Sequence, residues 1–426
     1  MNNLQRVQPP VFPVEKVVIP EAIAKRLDNG VPVFLIEAGT EEIMRVEFTF
    51  NAGQVNECLP LLSSTTNMML TEGSKNYTSE ELNRLIDFYG AFVNISPEKD
   101  RAGIVMFFLT KHIDKVLELG REILFRPAFP EPELNALMNK RLRWYLVNRE
   151  KVQNLAMDKF FESLFGENHP YGHQVNEEDF RNLTPTLLTD YHSTYYRPEN
   201  MAIIVSGRIS GDAYELLNKY FGDVVSEKNQ APTLKKTLLS EKKKKVHLEK
   251  AGTVQTSVRI GSATINKRHP DYPGLKVLDA ILGGYFGSRL MKNIREDKGF
   301  TYGISSSLTS LDLAGYKVIS TEVGKKNCRK AIDEVYKEIR LLQTDPVKSN
   351  ELDLVRNYMS GEMLRMFDGP FALADSFRSV WDFGLDNSYY YRLADKIKSI
   401  GPDEILHLAN TYYNIDDLYE ITAGMK

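Results

Sequence analysis

Cysteine is almost missing from this chain of 426 residues: Cys58 and Cys328, one in each half, exclude a disulfide framework and make the cytoplasm the expected setting. Cys58 assisted by His112 or His169 would be the ingredients of a hydrolase, but nothing in the sequence places them together, and an idle thiol is the plainer expectation. Histidine is scarce as well. Of His112, His169, His173, His192, His247, His269 and His407, only His169 and His173 are close, and Pro170 and Gly172 interrupt the helix that would align them. A turn with exposed imidazoles is expected there, not a zinc site. An excess of one charge is also lacking: 54 basic against 57 acidic residues exclude a global attraction to nucleic acid or anionic membranes. No apolar run reaches membrane-spanning length, and Met1–Pro10 lacks the basic and apolar regions of a secretory signal, so no membrane partner is expected.

What the chain has in quantity is length and repetition. It is too long for one ordinary domain and ample for two with full cores. Thr194-Tyr195-Tyr196 returns as Thr411-Tyr412-Tyr413, Pro185 as Pro402 and Gly207 as Gly424, all 217 residues later, and Glu133-Leu134 returns as Glu351-Leu352 after 218. Gly90–Ser96 mirrors Gly299–Ser305 at an offset of 209. A nearly fixed offset argues for duplication. Strand patterns occupy Val33–Ile36, Arg45–Phe50, Ile104–Leu109, Met201–Ser206, Ser257–Ile260, Tyr302–Leu308, Tyr316–Thr321 and Leu418–Thr422; helical patterns fill Ile113–Leu124, Glu133–Leu164, Lys325–Leu342 and Asn350–Met366. The expected fold is α+β, with two homologous domains, each a mostly antiparallel β-sheet packed with helices. Residues 1–223 form the first, 246–426 the second, and 224–245 the linker, whose lysine run Lys242–Lys245 reads as a solvated strand rather than a polyanion site.

The richest stretch runs from Leu282 to Ser305. Its glycines, Gly283, Gly284 and Gly287, fit neither a phosphate loop nor a dinucleotide fingerprint, and Arg289 follows Ser288 where a phosphate loop needs lysine. A turn of helix ending in Arg295, a turn through Gly299 and a strand from Tyr302 can bring an arginine and a tyrosine to one cleft. The plainer reading pairs Arg295 with Glu296 or Asp297 on the surface and half-buries Tyr302 in the sheet.

The whole string resembles the second-half signature of the insulinase/pitrilysin family of zinc peptidases, which includes the mitochondrial processing peptidases and bacterial relatives. Asn29–Phe34, His169–Gly172 and Tyr196–Met201, leading into an apolar strand ending at Gly207, extend the resemblance over nearly the whole chain. The resemblance implies a fold of the processing-peptidase/LuxS-like metallohydrolase type. It also implies H-x-x-E-H on a first-half helix, with zinc on the two histidines, a water-activating glutamate and a distant glutamate ligand. Anchored on Glu72-Gly73-Ser74, those positions hold Ser64, Asn67 and Met68, and Leu142–Leu146, where the distant ligand belongs, has no carboxylate. A serine hydroxyl and a thioether are poor zinc ligands, and an amide is no general base.

Arg295 and Tyr302 remain while the metal site is degenerate, which resembles the non-metal subunit of a bacterial two-subunit peptidase. Zinc is then expected in a related partner subunit with intact H-x-x-E-H, and none in this chain. In that complex Tyr302 would donate to the oxyanion and Arg295 would hold an adjacent peptide carbonyl, both in trans. The alternative is a catalytically inactive peptide-binding or scaffold homodimer.

Overall fold

A computed structural model describes residues 18–225 and 243–425. Met1–Pro10 and the connector from Ser226 to Lys242 lie outside the described residues. Six strands, β1 (Ile23–Arg26), β2 (Pro32–Glu37), β3 (Ile43–Phe50), β4 (Phe92–Pro97), β5 (Ala102–Leu109) and β6 (Met201–Gly207), form one sheet in the order β1-β2-β6-β3-β5-β4. A second sheet is built from β7 (Lys245–Glu249), β8 (Gln255–Thr264), β9 (Thr301–Ser310), β10 (Gly315–Gly324) and β11 (Tyr419–Gly424) in the order β7-β11-β8-β10-β9. Setting β1 aside, the two orders are the same. In each sheet one pair is parallel, β2 with β6 and β7 with β11, and the remaining pairs are antiparallel. The expected α+β architecture with mostly antiparallel sheets is what the chain adopts.

The sequence repeats fall at equivalent places. Pro185 and Pro402 each open a helix, Pro185–Tyr195 and Pro402–Tyr412, because a first-turn proline gives up no helical hydrogen bond. Gly207 and Gly424 each end the strand that follows. Every residue of β6 is buried, as a strand covered on both faces requires.

The covering helices come from two sources. On one face each sheet carries helices of its own half: Val46, Phe48, Ile203 and Val205 pack with Leu117, Leu188 and Leu217 in the first, Val258 and Ile260 with Val335, Val355 and Leu408 in the second. The other faces are covered by exchange. Helix Val152–Phe165 sends Val152, Ala156, Phe160 and Phe165 against Val318, Tyr419 and Ile421 of the second sheet. Helix Pro370–Trp381, 218 residues later, packs on the first sheet, with Phe377 and Trp381 on the ring of Phe34 at 4.8 and 5.4 Å. The single helix expected over Glu133–Leu164 is therefore two, Glu131–Asn148 and Val152–Phe165, separated where Lys151 is extended (φ −81°, ψ 125°). Apolar periodicity runs through the break because both segments are amphipathic; they bury their faces in different halves.

A buried ionic seam joins the halves. Arg378 bonds Glu47 (2.9 Å), Glu98 (2.7 Å) and Asp382 (3.3 Å), while Arg101 pairs with Asp312 and Asp382, and Arg45 with Glu47 and Asp375. Such pairs fix geometry more than they stabilise, and removing one member leaves a buried charge without its partner. At the described end of the lysine run, Lys244 pairs with Asp417 at 3.0 Å and Lys245 opens β7. Among the described residues no helix is long and apolar enough to cross a membrane.

Candidate functional site

The segment from Leu282 to Ser305 folds around two wide turns. Ala280–Gly284 and Met291–Asp297 wind as π-helices, a local widening that recurs at functional positions. Gly283 is required by proximity, since a Cβ there would stand 2.6 Å from the Ser306 nitrogen. Gly299, at φ +62°, makes the turn that sends the chain into β9, the edge strand of its sheet. Arg289, which the phosphate-loop comparison singled out, forks onto Glu351 with both carboxylate oxygens, at 2.7 and 3.0 Å.

Arg295 lies beside Tyr302 through the main chain: its Nε donates to the Tyr302 carbonyl at 3.0 Å. The guanidinium also lies over the Phe286 ring, 4.7 Å from the centroid, and approaches Glu296 only to 3.9 Å. Tyr302 itself is 94% exposed, the opposite of the half-buried sheet tyrosine of the plainer reading. A cleft of about 430 Å³ opens alongside, walled by Gly283, Phe286, Met291 and Gly303 and floored by the Arg259–Glu322 pair. Arg295 and Tyr302 stand at its margin, and their side chains do not line it. Phe286 is the residue sequence reasoning missed; its signal was an aromatic inside a glycine run, beside the arginine in question.

Ser64, Asn67 and Met68, the positions that the resemblance assigns to the metal motif, lie on helix Leu62–Met68. Asn67, fully buried, donates to the Gly103 carbonyl and the Tyr196 hydroxyl, both at 3.0 Å. Ser64 accepts from the Arg141 guanidinium at 2.9 Å, and the same guanidinium bonds Thr65 at 2.6 Å. Burial lowers Arg141 to about 10, while burial pushes the neighbouring Glu57 carboxyl up to about 8. These residues do not fit a metal ion: the Asn67 amide serves as a structural donor, and the Ser64 hydroxyl is engaged by the Arg141 guanidinium, whose positive charge disfavours a second cation beside it. Among the described residues no cluster of three or more histidine, cysteine or carboxylate side chains is arranged to hold a metal. Arg141 escaped the sequence reading because a carboxylate was sought over Leu142–Leu146, one residue further on.

The second half carries a counterpart. Tyr413, repeat of Tyr196, approaches Asp279 (3.4 Å) as Tyr196 does Asn67, which sets Lys276, Asp279 and Ala280 opposite Ser64, Asn67 and Met68. Burial raises Asp279 to about 6, against the pull of the Ser306 hydroxyl and Lys276, and burial lowers Lys317 to about 8.

The histidine turn differs from expectation. His169 is buried rather than exposed, its ring against Phe165 and Tyr171, and its Nδ1 accepts the Tyr171 N–H at 3.1 Å. Burial follows from the exchanged helix, which brings Phe165 onto the turn. Cys58 is exposed, and the rings of His112 and His169 stack instead on Tyr89 and on Phe165.

Among the described residues the two-sheet fold brings no metal-ligating set together on helix Leu62–Met68. Comparison with known proteins agrees. Residues 182–359 match the family model described as the peptidase M16 inactive domain. The chain is 24% identical over 340 residues, 79% of its length and 82% of the other's, to a Bacillus subtilis protein named uncharacterized zinc protease YmxG. It is 22% identical over 338 residues to another B. subtilis protein, probable inactive metalloprotease YmfF, covering 74% of this chain and 76% of that one. A solved structure titled peptidase M16 inactive domain, from Pseudomonas fluorescens, superposes with a TM-score of 0.85 at 22% identity, over 95% of this chain and 98% of that one, a likeness of fold. The chain shares the fold of that solved M16 structure, residues 182–359 are similar to the inactive-domain model, and the relatives it resembles include proteins named as zinc proteases and as inactive metalloproteases.

Proposed function

We propose that this chain is the non-zinc subunit of a heterodimeric zinc metallopeptidase that degrades or processes peptides in the cytoplasm. Residues 1–223 and 246–426 act as its two homologous units, joined by 224–245. Its partner is a related subunit with intact H-x-x-E-H, and the water-activating chemistry belongs to the metal held there. Arg295 and Tyr302 serve that site in trans.

One observation carries the reading. The Tyr302 phenol projects from an edge strand almost wholly into solvent, beside an arginine fixed by a carbonyl and an aromatic face. An apolar ring gains nothing from that exposure, whereas a phenol meant for a peptide on another chain must stand clear of its own. Tyr302 is then a neutral donor to the oxyanion of the attacked peptide, and Arg295 a planar donor to a neighbouring carbonyl. In the assembled enzyme Tyr302→Phe should lower kcat by about 10²–10³ with assembly intact. An unchanged kcat in that complex would overturn the role. Recovery of a zinc-free self-dimer, with no H-x-x-E-H companion, from the source cells would favour the scaffold alternative.

A further inference from the structure

Beside Met68, one of the positions the resemblance assigns to the metal motif, lies a hollow of about 510 Å³. It lies between helices Leu62–Met68 and Glu131–Asn148, and its walls are largely apolar: Leu61, Met68, Leu137, Trp144, Val175 and Phe180. Trp144 is 68% exposed, a large indole left over an open groove. Two cations also line it, Lys140 and Arg141. Lys140 is exposed and makes no ion pair or hydrogen bond among the described residues. Arg141 spends two of its five N–H donors on Ser64 and Thr65 and retains the others. Glu57 neighbours the guanidinium without lining the hollow, and burial pushes its carboxyl up. Past Trp144, Tyr145 and Val175, which both hollows share, a second one of about 350 Å³ continues with polar walls, the amides of Gln54, Asn148, Asn154 and Gln174 together with Lys99, Arg149 and Asp158.

We propose that this hollow binds the C-terminal residue of a peptide, its bulky apolar side chain in the groove and its free carboxylate on Lys140 and Arg141. The apolar walls select the side chain, and the two cations, with no carboxylate in the lining, select an anion. The adjoining polar hollow favours a peptide over a fatty acid, since a hydrocarbon tail makes no use of amide side chains while a peptide main chain does.

The site belongs to this chain alone, so the test needs no partner and its outcome is separate from that of Tyr302→Phe. Fluorescence anisotropy would follow the isolated full chain titrated with an N-terminally labelled hexapeptide ending in leucine, as the free acid, as the C-terminal amide, and with aspartate in place of leucine. The free acid with leucine should bind at least about tenfold more tightly than either other peptide. Lys140→Ala, at an exposed position, should weaken the acid about fivefold or more and leave the amide unchanged. Met68→Glu should abolish the preference for the acid, with folding checked by thermal unfolding. Equal binding of acid and amide, equal weakening of both by Lys140→Ala, no binding at about millimolar peptide, or tighter binding of decanoate than of the peptide would each overturn the assignment.

Discussion

At the scale of the residue, Asp279 and Asn67 fill corresponding places in the two halves with different chemistry. In the first half Asn67 joins helix, strand and Tyr196 as a neutral donor; in the second a carboxyl holds Ser306 and Tyr413 from the equivalent place. Burial lifts that carboxyl from an ordinary 3.8 to about 6, so between those values the unfolded chain has released a proton that the folded chain retains. Stability from Asp279 is therefore complete below about pH 3.8 and falls as pH rises to about 6. Asp279→Asn keeps an acceptor for Ser306 and should flatten this slope, raising the urea midpoint near pH 7 relative to pH 4 when compared with the parent chain. The reading of Ser64, Asn67 and Met68 as non-ligands came from residue type alone, at positions that the resemblance assigns. Arg141 was not legible, because it acts on Ser64 across the fold and spacing along the chain carries no record of that contact, whereas Phe286, nine residues before Arg295, left a local signal.

Among the elements, strands were read with ends displaced by a few residues, since alternation and continuous apolar runs report burial directly. β1, β4 and β7 were absent from the strand patterns because none of the three has a buried residue to report. Helix periodicity likewise reports a buried face without saying which sheet receives it, so the exchange of Val152–Phe165 and Pro370–Trp381 could not be read. That exchange makes a first-half helix part of the second-half core. Phe160, with no exposed surface, lies at its centre, and Phe160→Ala should cost about 3–5 kcal/mol through lost burial and the cavity left behind. The loss should register as one cooperative shift in urea unfolding followed by circular dichroism, with both halves melting together. A separate early transition of the second half alone would contradict the coupling.

On the scale of the whole molecule, the two sheets have one strand order, exchanged helices and a shared ionic seam of Arg378, Glu47, Glu98, Asp382, Arg101 and Asp312. A protease site inserted after Gln230 should accordingly yield two fragments that still elute as one species in native gel filtration and unfold at one temperature; elution as two species would refute it. Duplication was legible in the 217-residue offset, because repeated prolines, tyrosines and glycines mark repeated turns. What the offset conceals is that each half presents a sheet face it does not cover and a helix it does not use. Two free half-chains would have to collide to satisfy both needs, as the protomers of a swapped dimer do. Covalent joining makes that encounter intramolecular, at an effective concentration on the order of millimolar for a short connector. Maturation of this fold is thus first order in protein: dilution that would strand separate halves leaves the joined chain able to complete itself.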